Sequence, residues 1–82
     1  MAWNRPASAR YRVQTGAFRR EENAWSLYQK LLRQRFPAEI GKNEDLFLVW
    51  VGNYARLDNA VKMEQVLKSL GYATYIIRTD ES

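Results

Sequence analysis

A chain of 82 residues and 9.7 kDa fits one small domain and leaves no room for a second, catalytic one. It has no cysteine and no histidine, which excludes disulfides, thiolate metal sites and the histidine of every Ser-His or Cys-His nucleophile system. Thirteen Lys+Arg against nine Asp+Glu leave a net charge of +4 and a pI near 9.7, compatible with an anionic partner and equally with plain solubility.

In chain order, residues 1–10 read as a flexible N-terminal segment, MAWNRPASAR, without the apolar core of a signal peptide, so any export signal is expected outside this chain. Tyr11 to Thr15 are rich in β-branched and aromatic residues and run up to Gly16, which predicts a strand entering a turn. Ala24, Leu27, Tyr28, Leu31 and Leu32 then recur at i, i+3, i+4, i+7 and i+8, the apolar stripe of an amphipathic helix. Glu21 and Glu22 near its start and Lys30 and Arg33 near its end complement the helix dipole, and Pro37 predicts a stop around Arg35. Trp25 falls at the edge of the stripe. A short strand is expected from Ala38 to Ile40, followed by a polar joint from Gly41 to Asp45.

Phe47 to Val51 form the next predicted strand, ending at Gly52; even with Leu46 this apolar run is far short of the roughly 20 residues a membrane span needs. Ala60, Met63, Leu67 and Leu70 mark a second helix, with Asp58 or Asn59 as the expected N-cap and Gly71 as the C-terminal glycine. A closing strand covers Thr74 to Arg78, and residues 79–82 read as a tail. The domain proper is thus expected over 11–78.

Laying Gly16 on Gly52 reveals an internal repeat without gaps. Val13/Val49, Arg20/Arg56, Asn23/Asn59, Ala24/Ala60, Leu31/Leu67 and Ile40/Ile76 are identical, and Tyr11/Phe47, Phe18/Tyr54 and Phe36/Tyr72 are similar. Each half reads strand, helix, strand. The order βαββαβ is the ferredoxin-like α+β arrangement, a four-stranded antiparallel sheet with two helices on one face and a pseudo-repeat in place of a solenoid.

The other face of such a sheet is open, and strand parity assigns its side chains. Tyr11, Val13, Thr15, Phe47, Val49 and Val51 take the helix side, which leaves Arg12, Gln14, Leu48 and Trp50 outside, joined by Tyr75 and Ile77 of the last strand. A contiguous aromatic patch beside an amide and arginines is seldom left unused. Two polymers with flat faces and polar edges fit it: nucleic acid, whose bases stack on aromatics, and glycan. The bland alternatives are dimerisation and a cover formed by the N-terminal segment with Trp3. Phe18 and Tyr54 read most simply as lids over the helix starts, Asn23 and Asn59 as helix caps, and Gly16 and Gly52 as turn residues.

The segments Tyr11-Arg-Val-Gln-Thr-Gly-Ala-Phe18 with Asn23-Ala24, and Phe47-Leu-Val-Trp-Val-Gly-Asn-Tyr54 with Asn59-Ala60, closely resemble the paired signature of the SPOR (sporulation-related) domain, as does Leu67-Lys-Ser-Leu-Gly-Tyr72. The resemblance covers roughly residues 10 to 78. It implies a non-catalytic domain without cofactor or metal that binds peptidoglycan, preferring glycan strands denuded of stem peptides. Such domains target cell-wall or division proteins to the septum or wall of the bacterial envelope, attached to or beside an amidase or a similar partner. It also implies a glycan site on the open face, with Gln14 matching the family glutamine, Trp50 in the third strand, and Tyr75 and Ile77 at outward positions of the last strand. Ala17 departs from the serine many members carry, which removes a hydroxyl contact there, while Phe18 beside it is kept as a candidate.

A denuded strand exposes the lactyl carboxylate of each muramic acid, and arginine is suited to meet a carboxylate with its planar fork. Arg12 on the open face, with Arg20 and Arg56 in equivalent loops after the strands, are the candidates, alongside Leu48 as part of the apolar platform. An RNA-recognition module would share the βαββαβ frame and the same face. Its third-strand signature is not matched by Leu46 to Tyr54, so no nucleic-acid partner is expected. A protein-interaction or dimerisation module is the other alternative. Catalysis by paired carboxylates finds no support, because Glu39 is the one acid the predicted strands carry.

Overall fold

The computed structural model describes residues 8–81. The elements run β1 (Ser8–Phe18), α1 (Glu21–Arg33), β2 (Ala38–Asn43), β3 (Leu46–Tyr54), α2 (Leu57–Ser69) and β4 (Tyr75–Glu81). The strands form one antiparallel sheet in the order β2-β3-β1-β4, the ferredoxin-like α+β topology. Strand β1 begins at Ser8 and β4 continues to Glu81, pairing Arg10 with Thr79 and Ser8 with Glu81. The sheet therefore takes in residues on both sides of the expected 11–78 span. The expected polar joint is likewise shorter: β2 extends through Asn43, and only Glu44 and Asp45 turn the chain into β3, Glu44 with a φ of 55°.

The core lies between the sheet and the helices, and the repeat is kept where packing is tightest. Val13 and Val49, Ala24 and Ala60, and Leu31 and Leu67 are all fully buried. The stripes are narrower than their spacing predicts, since Leu32 and Leu70 are 43% and 53% exposed, and Trp25 is half exposed with its ring against Tyr28.

The helix starts differ from expectation. The N-caps are Arg20 and Arg56, both in extended conformation and without a side-chain cap, so Asp58, Asn23 and Asn59 lie inside the first turns. The chain holds its strand-like course as far as each arginine, and Glu21, Glu22 and Asp58 then face the positive end of the dipole. The C-termini match each other. In α2 the Gly71 and Tyr72 amides donate to the Lys68 and Leu67 carbonyls, with Gly71 at φ 92°, the Schellman arrangement. In α1 the equivalent residues Arg35 and Phe36 make the same two bonds, so Arg35 sits in the left-handed region at φ 69° with a side chain glycine lacks.

Two irregularities interrupt the β1–β3 ladder. Gln14 pairs with Trp50 but Gly16 with Val49, so Thr15 is an extra residue on β1; Tyr11 pairs with Tyr54 but Val13 with Val51, so β3 carries an extra residue at Gly52–Asn53. Gly16 and Gly52 thus lie inside strands rather than in turns. Gly52, at φ 78°, gives its amide to the Pro37 carbonyl at 2.9 Å.

Candidate functional site

The bulge at Thr15 decides which side chains reach the open face. Up to Gln14 the parity read from the sequence holds: Val13 is buried on the helix side and Arg12 and Gln14 face out. The extra residue then reverses the alternation. Thr15 turns inward, its hydroxyl donating to the Val49 carbonyl at 3.3 Å, and Gly16 and Phe18 follow on the helix side, where a Cβ at Gly16 would meet the Phe18 ring and Leu27. Phe18 packs against the core opposite Phe47 and takes no part in the open face. Ala17, the position at which the chain departs from the serine pattern, comes out onto it opposite Leu48.

Gln14, Trp50 and Tyr75 are brought together. In the cross-strand register Glu39 pairs with Trp50, Trp50 with Gln14, and Gln14 with Tyr75, one row across all four strands. At ordinary strand spacing it spans roughly 14 Å. Arg12 and Ile77 pair beside it, Arg10 and Thr79 one step further, and Gly41, Leu48 and Ala17 line the other side. Tyr75, at 68% exposed, is the open aromatic of the row.

Trp50 is not a bare stacking platform. Its six-membered ring lies over Gly41 on β2, where any Cβ would collide with it. The Arg12 guanidinium covers the indole at 4.8 Å from the ring centroid and donates to Glu39 beyond it. Leu48 is buried, so the apolar patch expected to be exposed is largely covered. The Trp50 Nε1–H is buried and, among the described residues, has no hydrogen-bond partner.

Arg56 does not join this face. It caps α2, and its Nε and Nη2 both donate to the Asp58 carboxylate at 3.1 Å, beside a shallow depression lined by Leu57, Val61 and Lys62. That hydrogen bonding holds the Asp58 carboxyl below its ordinary range and raises Arg56. Arg20 occupies the matching position at the start of α1. Two residues missed by sequence reasoning belong to the face. Glu39 is legible from parity, since Ala38 and Ile40 pack inward on either side of it. Arg10 alternates in step with Arg12 and Gln14 and, among the described residues, has no ion pair. Its signal was the polar–apolar alternation that continues upstream of Tyr11. Among the described residues no group of three His, Cys, Asp or Glu could hold a metal, and no helix is long and apolar enough to cross a membrane.

A sequence model of the SPOR domain matches residues 7–78, nearly the whole chain. The chain belongs to the SPOR domain family. This SPOR domain is also similar to a solved structure, the solution structure of the peptidoglycan binding domain of the B. subtilis cell wall lytic enzyme CwlC. The two are 27% identical, with 95% of this chain and 99% of that one covered and a TM-score of 0.82. A comparison with curated protein sequences finds no match. The motif segments that carried the resemblance put Val13 and Val49, and Ala24 and Ala60, in the fully buried core of this SPOR domain and Gln14 opposite Trp50 at the centre of the row, while Glu39 and Tyr75 lie outside those segments.

Proposed function

We propose that this SPOR domain binds peptidoglycan without catalysis, through the open face of its sheet, and that it prefers glycan strands freed of their stem peptides. The observation that carries the reading is the four-strand row, which alternates polar and aromatic side chains across the sheet: Glu39, Trp50, Gln14, Tyr75. In this reading Tyr75 stacks on a sugar ring, with Ile77 beside it. Gln14, flanked by two aromatics, exchanges hydrogen bonds with hydroxyl or N-acetyl groups. Arg10 and Arg12, alternating outward on β1, supply the preference for a strand whose lactyl carboxylates are free. Trp50 contributes through its stack with Arg12 as well as through its own ring.

The similarity to a peptidoglycan binding domain supports the ligand class. The absence of histidine and cysteine, together with Glu39 being held by Arg12, supports binding over catalysis. The proposed role is to carry a cell-wall or division protein to the envelope, at the septum or wall, attached to or beside an amidase that generates the stripped strands.

Retention on purified sacculi with and without amidase treatment tests the reading. Amidase-treated sacculi should retain more protein, and Gln14→Ala with Tyr75→Ala should lose that retention while keeping the wild-type circular dichroism spectrum. Equal retention on both preparations removes the preference for stripped strands, and full retention by the folded double variant removes the face.

A further inference from the structure

Three side chains from three strands form one stacked assembly on the open face. Arg12 leaves β1, passes over the Trp50 indole of β3, and ends on β2 in an ion pair with Glu39. It behaves as a strap. Although it stands on the solvent side of the sheet, its side chain is only 17% exposed, whereas Glu39 keeps 60%. The ring beneath it rests on Gly41, and the indole N–H is buried and, among the described residues, without a partner.

The way the strap is fastened matters. A guanidinium has five N–H donors and can meet a carboxylate through two parallel bonds. Glu39 takes one, from Nη1 to Oε1. An ion pair that is single-bonded and exposed on the acid side is weakly held. A ligand carboxylate that engages the guanidinium bidentately replaces Glu39 like for like. A neutral hydroxyl taking the same position would leave Glu39 without its counter-charge and would bring no charge of its own.

We infer that Glu39 is a built-in competitor for the ligand's carboxylate: it holds Arg12 across Trp50 in the free domain, and a glycan bearing free carboxylates displaces it, taking Arg12 and uncovering the indole. The inference rests on the glycan-binding reading above and names the chemical feature to which the strap responds, a carboxylate on the sugar itself. Strands whose carboxyl is blocked or reduced meet the face with the strap closed.

Two measurements test this with Glu39→Gln, which keeps the shape of the side chain. The first uses no ligand. In a Trp3→Phe, Trp25→Phe background, which leaves Trp50 as the reporter, Glu39→Gln should raise the acrylamide quenching constant of the indole, and an unchanged constant overturns the strap. The second compares denuded strands from amidase digestion with the same strands after reduction of the lactyl carboxyls to alcohols. Glu39→Gln should bind the carboxylated strands roughly two- to fivefold more tightly than wild type, the range set by removing an exposed ion pair, and the reduced strands, which gain the uncovered indole but not the freed guanidinium's charge partner, by a smaller factor. A gain of equal size on both, or no gain on either, overturns the competitor role. If wild-type protein binds neither strand, the glycan reading itself falls, and the quenching measurement alone decides the strap.

Discussion

Replacing Gly41 by alanine places a methyl where the Trp50 ring lies, and the strand's own preference predicts the opposite effect from the packing. Gly→Ala in a strand interior normally stabilises by about 0.5–1 kcal/mol. Here the new Cβ would overlap the six-membered ring, so the indole has to lift off β2. Re-exposing about a third of the roughly 200 Å² that a tryptophan can bury costs about 1.7 kcal/mol, and losing the stack with Arg12 adds about 0.5–1 kcal/mol. The net is a destabilisation of about 1.5–2 kcal/mol, a fall in Tm of roughly 10 °C for a domain of this size. Thermal unfolding by circular dichroism reads the Tm, and the Trp50 indole N–H resonance reports the ring. In a Trp50→Ala background the same Gly41→Ala change has nothing to collide with and should stabilise, so the sign of the effect reverses around the cycle. A Tm that is unchanged or raised by Gly41→Ala alone, with the indole resonance in place, refutes the packing argument.

Two further outcomes follow from features outside the face. Arg35→Gly should raise stability by about 0.5–1 kcal/mol in urea unfolding, because a left-handed φ of 69° costs a side-chain-bearing residue more than glycine's extra freedom in the unfolded chain returns; a loss of stability would show that the Arg35 side chain does something the backbone geometry does not reveal. Asp58 is held below its ordinary range by hydrogen bonding from Arg56, so the folded state takes up that proton less readily than the unfolded one. The pair's contribution is therefore present above about pH 4 and lost as the pH falls below it. Asp58→Asn should flatten the acid side of a plot of urea midpoint against pH, and an acid limb identical to wild type would argue against the pair.

Much of the fold was legible because the repeat carries its own register. Once Gly16 is laid on Gly52, Val13/Val49, Ala24/Ala60 and Leu31/Leu67 announce themselves as equivalent core positions, and all are fully buried. Gly71 signalled its helix end because glycine is the residue that suits that conformation, while Arg35, which adopts it too, gave no such signal. Parity placed Gln14, Trp50, Tyr75 and Ile77 on one face, since β1 and β4 pair without irregularity from Ser8 to Gln14. It was not carried past Thr15, where one extra residue reverses every side chain that follows and sends Phe18 to the helix side, as its reading as a lid over the helix start required. Parity also gives direction but not cover. That Trp50 lies under Arg12 depends on the reach of a side chain across a neighbouring strand and on the empty space over Gly41, neither of which a period of two encodes. The asparagines misled for a related reason: their residue type suits a cap, but the helices start at Arg20 and Arg56, upstream of both.

The row across the sheet has a further property. Its members are two pairs related by the repeat, since the offset that lays Gly16 on Gly52 also lays Gln14 on Trp50 and Glu39 on Tyr75. The frame is nearly two-fold symmetric about a line passing between Gln14 and Trp50, yet one half brings an amide and a carboxylate and the other an indole and a phenol. The halves are alike in the core and unlike on this surface. A polymer laid along the row therefore meets acid first when it runs one way and phenol first when it runs the other. A chain whose two ends are chemically distinct would be held on it in one polarity.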